Sequence, residues 1–321
     1  MRKVNIVSVE LDDPLDEAGF RHDGATIGDR LGGQRIGASV YAAEAGDTIG
    51  PYHYHHGVEE WLYVISGEPV LRDAEGRRKL QPGDLVCFPS GAGGAHTADG
   101  PGRFIIFSTG THREPWMSVY PDSGKVSGPE GILLASSRVD YWYGEGTYGR
   151  PTGPPVESGE SELFPRAPIV NLGALEATPP EPMRPPGFRA RQARLGAALN
   201  AQMLGASLYE IDPGEGSAAY HYEYGREEWL LVLSGTPTLR HPGGEDPLEA
   251  GDVVCFVEGP EGAHRVSNQG REAARVLMIS TQDVPVTAHY PDSDKLLILD
   301  GSGQRQTFRA ADAVDLWEGG T

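Results

Sequence analysis

The sequence predicts an all-β fold built from two similar units in tandem, and three observations carry that expectation. The 321 residues include 44 Gly and 26 Pro. These punctuate short apolar runs such as Trp61-Leu-Tyr-Val-Ile65, Leu85-Val-Cys-Phe88 and Phe104-Ile-Ile-Phe107, the pattern of strands separated by tight turns. The chain also repeats itself. Gly37-Ala-Ser-Val-Tyr41 returns as Gly205-Ala-Ser-Leu-Tyr209, Glu59-Glu-Trp61 as Glu227-Glu-Trp229, Gly83-Asp-Leu-Val-Cys-Phe88 as Gly251-Asp-Val-Val-Cys-Phe256, and His96 as His264, each 168 positions on. A repeat this long is a copied folding unit rather than a short solenoid repeat. Length agrees, since roughly 150 residues per domain makes about two domains.

In chain order, the first unit is expected over 1–143, a linker over 144–165 and the second unit over 166–321. The linker expectation rests on Gly144-Glu-Gly-Thr-Tyr-Gly-Arg-Pro-Thr-Gly-Pro-Pro155, rich in turn formers and poor in apolar residues. A second Pro cluster, Thr178 to Gly187, replaces the acidic Asp12 to Glu17 region of the first unit and is expected to cover a surface. Late in each unit Tyr120-Pro-Asp-Ser123 returns as Tyr290-Pro-Asp-Ser293, now 170 positions on.

Charge narrows the function classes. With 46 acidic against 27 basic residues the formal net charge is -19, a surface that repels phosphate backbones and anionic lipid, so no nucleic acid and no membrane are expected as partners. No apolar segment near Met1 has the length of a signal peptide, which gives a cytoplasmic expectation. The two cysteines, Cys87 and Cys255, stand at equivalent places and are expected to fill strand positions rather than to pair.

The chemistry-bearing stretch is Gly50-Pro-Tyr-His53-Tyr-His55-His-Gly-Val-Glu-Glu60, answered by Pro82-Gly-Asp84 through His96. Residues i and i+2 of a strand share a face, so His53 and His55 converge while Tyr54 points away. Glu60 opens the next strand after a turn at Gly57, and His96 returns from a third, so His53, His55, Glu60 and His96 can surround one ion. Three inward imidazoles and a carboxylate without an ion would be costly to bury. His56 and Glu59 fall on the other strand phase and are expected at the rim or surface. His112 and His289 are expected as turn or interface residues.

Gly50-x2-His53-x-His55-x4-Glu60-x6-Gly67 and Gly83-x5-Pro89-x-Gly91-x4-His96 resemble the two motifs of the cupin superfamily, and both halves of the chain carry the resemblance, that of a bicupin. Pro51-Tyr-His-Tyr-His55 with Tyr120-Pro-Asp-Ser-Gly-Lys125 is similar to bacterial cupin-domain proteins of mostly unassigned activity. The resemblance implies two tandem double-stranded β-helix, jelly-roll-like barrels, with a metal held inside the first by His53, His55, Glu60 and His96. In the second unit the motif reads His221-Tyr-Glu223-Tyr-Gly-Arg-Glu-Glu228, so His221, Glu223, Glu228 and His264 stand at the ligand positions with Glu223 in place of an imidazole. Two readings stay open there: a second ion on a harder donor set, or a scaffold in which Glu223 pairs with Arg226 or a histidine.

Three imidazoles and a carboxylate leave about two positions of an octahedral ion open, so a divalent Fe, Mn, Ni, Cu or Zn is the expected cofactor and a small molecule the expected substrate. The leading expectation is a dioxygenase-like oxygenase acting on a small organic acid or phenol in the first unit. The alternatives are a metal-dependent isomerase or hydrolase, and a non-catalytic bicupin that binds a sugar or acid. Lining candidates for acid or base are Tyr41, Tyr52, Tyr63, Arg72 and Glu59, with Tyr41, Tyr52 and Arg72 expected to act. Arg72 recurs as Arg240, which suits a carboxylate clamp or, because both units keep it, a strand-edge salt bridge. The units are expected to be related by a pseudo-two-fold axis, in a monomer or a homodimer.

Overall fold

A computed structural model describes residues 1–17, 19–109, 117–139, 166–315 and 317–318. The expected linker over 144–165 and His112 lie outside the described residues. The architecture is all-β, and each half is a jelly roll. In the N-terminal half, strands Leu15–Glu17, Phe20–Thr26, Gly37–Ala43, Gly102–Ser108, Glu60–Gly67 and Asp84–Phe88 lie side by side in one sheet. Two smaller sheets carry Val70–Asp73, Gly76–Lys79 and Thr97–Asp99, and Tyr54–His56, Met117–Tyr120, Lys125–Gly128 and Gly131–Leu134. The C-terminal half repeats this pattern around the central strands Leu204–Ile211, Ala274–Thr281, Glu228–Ser234 and Asp252–Phe256.

The edges of the two large sheets are exchanged. Ile169–Asn171 pairs with Asp84–Phe88 in the N-terminal sheet, and Val4–Asn5 pairs with Asp252–Phe256 in the C-terminal one. Each crossing segment therefore covers an edge that would otherwise present unpaired backbone groups. Arg103 holds one, donating to the carbonyls of Ile6 and Val9, and Arg275 holds the other through Leu172 and Leu175.

Strand alternation explains both cores. Leu62, Val64, Val86, Phe88 and Phe104 point from the large N-terminal sheet onto Leu71 and Ala98 of a smaller one, forming the interior of that half. Leu230, Val232, Val254 and Val276 with Leu239 and Val266 do the same in the other half. The opposite faces carry Trp61, Leu85, Cys87, Ile105 and Phe107, and these pack against Trp229, Leu231, Val253, Cys255, Leu277 and Ile279. With both faces covered, Asp84–Phe88 and Asp252–Phe256 are buried at every residue, which is why they read as unbroken apolar runs. Both cysteines are free and sit in this joint core, not each in the core of its own unit.

Glu59 corrects an expectation. It does lie on the opposite phase from Glu60, but that phase faces the partner sheet rather than water, and Glu59 is 0% exposed. Its carboxylate accepts the backbone N–H groups of Gln202, Met203 and Leu204 and the indole N–H of Trp61. Glu227 mirrors it, accepting from Gln34, Arg35, Ile36 and Trp229. A buried carboxylate is tolerated where its lone pairs are met by donors in this way. The strap that supplies Gln34 to Ile36 runs so close to Trp229 that a Cβ on Gly33 would stand 2.6 Å from its ring.

Candidate metal centre

His53 and His96 are brought together by a two-way backbone bridge, His53 N–H to His96 O at 3.1 Å and His96 N–H to His53 O at 2.8 Å. His55 lies on Tyr54–His56, opposite Ser118 of the neighbouring strand. Between this strand and Glu60 the chain turns at Gly57, whose φ of 78° suits a residue without a side chain. Glu60 then starts its strand on the same phase as Leu62 and Val64 and so points inward.

The result is a cluster in which all three histidines present Nε2 to one carboxylate oxygen, Glu60 Oε2, at 3.1 Å for His55, 3.5 Å for His96 and 4.0 Å for His53. Donor atoms of His53, His55 and Glu60 all lie within 4.8 Å of one another, as a metal site requires. The other ring nitrogens are engaged. Nδ1–H of His53 donates to the Pro51 carbonyl and that of His96 to the Gly94 carbonyl, both at 2.8 Å, while His55 Nδ1 meets Ser118 Oγ at 2.7 Å. Those carbonyls can only accept, so His53 and His96 carry their protons on Nδ1 and turn Nε2 lone pairs toward an anionic oxygen. Phe88 stacks on His96 with ring centroids 3.6 Å apart, and Tyr120 stacks on His53.

Electrostatics leaves His53 and His96 neutral and Glu60 ionised at neutral pH. Burial lowers His53, and burial together with the field of His53 takes His96 down to about 3. Burial acts to raise Glu60, but the His55 hydrogen bond and the surrounding imidazoles outweigh it and bring the carboxyl down to about 2. The Nε2 lone pairs of neutral His53 and His96 face this carboxylate, a repulsive arrangement until a cation sits between them. The residues therefore fit a divalent ion, with mixed nitrogen and oxygen donors and the backbone fixing the ring orientations.

The C-terminal cluster keeps most of this. His221 and His264 share the same bridge, donate from Nδ1 to Ala219 and Gly262, and bring Nε2 to 3.9 and 3.4 Å from Glu228 Oε2. His221, Glu228 and His264 form a group able to hold an ion. Glu223 is turned to Arg226 at 3.4 Å, and burial with the nearby Glu228 charge raises its carboxyl to about 7. Opposite Glu223 on the neighbouring strand stands Ala288, where the N-terminal cluster has Ser118 opposite His55.

The remaining sequence candidates divide. Tyr41 lines a cavity of about 140 Å³ together with Glu60, Ile106 and Ser108, and burial raises its phenol. Tyr63 is half-buried against the joint core. Tyr52 and Arg72 line a different cleft, with Asp122 and Lys125. Arg72 stacks over the Tyr52 ring and bonds Asp122 through both terminal nitrogens, and Arg240 repeats this with Tyr220 and Asp292. His56 is exposed, and His289 stacks on Tyr222. Sequence reasoning passed over Ser118, because a lone serine on a strand carries no spacing signal. It also passed over Glu59 and Glu227 as docking groups.

The cupin domain family model matches residues 39–110 and again 207–280, spanning both clusters. The chain is a bicupin of the cupin superfamily. None of the curated proteins matches it. Among solved structures the bicupin is similar to a protein provisionally described as a sugar phosphate isomerase from Acidithiobacillus ferrooxidans. That match has 28% identity and a TM-score of 0.41, covering 46% of this chain and 92% of that one. A sugar phosphate isomerase of the cupin superfamily from Silicibacter pomeroyi aligns with 25% identity and a TM-score of 0.40, over 46% and 97%. Oxalate decarboxylase of Bacillus subtilis, with Mn(II) centres, aligns with 17% identity and a TM-score of 0.47, over 88% and 77%. Among the described residues no helix is long and apolar enough to cross a membrane.

Proposed function

We propose that this bicupin is a metal-dependent enzyme, an oxygenase acting on a small organic acid or phenol, with its chemistry in the N-terminal unit. The observation that carries the reading is the convergence of three Nε2 atoms on Glu60 Oε2 with two ring tautomers fixed by backbone carbonyls. His53, His55, Glu60 and His96 would hold the ion, which supplies a Lewis-acid or redox centre with open positions. Around it the chain's own residues do the rest. Glu60 links the cluster to the adjacent cavity, whose walls of Gly28, Gly33, Gly37, Ala38 and Ser39 leave room for a small substrate. Phe88 shields His96 from water. Tyr41, kept protonated by burial, shares that cavity with Glu60 and can donate a proton there.

Tyr41 also favours a second reading. A protonated phenol beside a carboxylate is an acid and base pair for moving a proton on a carbonyl substrate, the chemistry of a metal-dependent isomerase. Oxygen uptake by metal-reconstituted protein over a panel of small acids and phenols separates the two. Uptake that Glu60→Gln abolishes supports the oxygenase. Solvent deuterium incorporation without uptake, reduced in Tyr41→Phe, supports the isomerase. Saturable binding with neither reaction would leave a binding protein and overturn both.

A further inference from the structure

The C-terminal unit contains a cavity whose charge differs from that of the cavity in the equivalent place of the N-terminal one. It lies behind Glu228 as the smaller cavity lies behind Glu60, with Tyr209, Ser207, Met278 and Ser280 in the places of Tyr41, Ser39, Ile106 and Ser108. Its volume is about 460 Å³ against about 140 Å³. Its walls carry Arg184, Arg194, Arg226 and Arg305, whereas among the described residues no Lys or Arg lines the N-terminal cavity. Counting back 168 positions, Arg184, Arg194 and Arg226 replace Asp16, Thr26 and Val58. Arg305 comes from a hairpin of five residue pairs where the N-terminal one has four.

Four arginines lining one cavity in a chain of net charge -19 is not the outcome of a generally basic surface. Two of them are held in place: Arg184 donates to the Ser217 carbonyl, and Arg226 donates to the Thr281 carbonyl and to Glu223. Among the described residues Arg194 and Arg305 have no carboxylate within ion-pair distance, so their charge is not consumed internally. Of the carboxylates in or beside the cavity, Glu223 pairs with Arg226, and Glu228 directs Oε2 toward His221 and His264. Gln192 and Tyr209 are joined by a hydrogen bond, and both line the wall.

We propose that this cavity is an anion-binding site that takes a small molecule bearing a compact dianion, a phosphate ester or a dicarboxylate, between Arg194, Arg305, Arg184 and Arg226. Guanidinium forks match both kinds of oxygen pair in two-point geometry, and a cationic recess in an acidic surface focuses anions toward itself. Gln192 and Tyr209 supply neutral hydrogen bonds to the rest of the molecule. The proposal does not rest on the oxygenase reading, since it concerns the other unit and requires no turnover.

The test is isothermal titration of the full chain, dialysed free of phosphate, with inorganic phosphate and separately with malonate. One saturable event per chain is expected, weakening as salt rises. Arg194→Gln and Arg305→Gln are each expected to weaken it about tenfold, while Arg21→Gln, which removes an equal charge far from the cavity, leaves it unchanged. Both cavity residues are exposed, so thermal melts of the variants should overlay the wild type. Phosphate binding alone assigns phosphate esters, and malonate binding alone assigns dicarboxylates. No saturable heat with either probe, or variants that bind as the wild type does, would overturn the proposal.

Discussion

Ser118 Oγ lies 2.7 Å from Nδ1 of His55, and the strand position that holds Ser118 opposite His55 holds Ala288 opposite Glu223 in the C-terminal unit. Ligand position and support differ together between the units. A third difference accompanies them, because Arg226, which pairs with Glu223, stands 168 positions beyond the apolar Val58. One cluster is built around an imidazole oriented by a hydroxyl, the other around a carboxylate balanced by a guanidinium.

Removing the support alone should loosen the first cluster. Ser118→Ala leaves the His55 ring free to rotate, and metal affinity should fall by about tenfold, the lower end of what such supporting bonds are worth. Competition titration against a chelator measures it. An affinity equal to that of the wild type would show that Ser118 does not orient the ligand.

The three differences should also be sufficient to move a site. Glu223→His with Ala288→Ser and Arg226→Val gives the C-terminal cluster the donors and support of the N-terminal one. The triple variant should bind one more equivalent of metal than Glu223→His alone, read by metal titration of protein whose N-terminal site is removed by His53→Ala/His55→Ala.

Glu59 is expected to matter for stability rather than chemistry. Glu59→Ala leaves the amides of Gln202, Met203 and Leu204 and the Trp61 indole without their acceptor. A loss of about 3 kcal/mol in urea unfolding is expected, with metal content per folded chain retained. Lost metal at unchanged stability would move Glu59 into the site.

Much of this molecule is legible in its sequence. Period-two spacing places His53 and His55 on one face, and the repeat at a step of 168 residues exposes the duplication. What stays hidden depends on what covers each face. Alternation puts Glu59 opposite Glu60 but cannot say that the opposite face meets a second sheet, so a buried docking group reads as a rim residue. The crossing strands Val4–Asn5 and Ile169–Asn171 are equally silent, because a two- or three-residue edge strand has no periodicity of its own. Arg72 recurs at a conspicuous place, yet its partner Asp122 is 50 positions away in a turn whose docking only the fold determines. The arginines of the C-terminal cavity come from four separate segments, and no spacing rule gathers them.

The central claim is that His53, His55, Glu60 and His96 hold a metal ion. Elemental analysis of the full chain, purified without added metal or a metal-affinity tag, tests it most directly. Wild type is compared with His53→Ala/His55→Ala and with His221→Ala/Glu228→Ala. The account predicts about one equivalent of a divalent transition metal that disappears in the first variant and survives in the second. A wild type without metal even after reconstitution, or a first variant that keeps its full content, would contradict it.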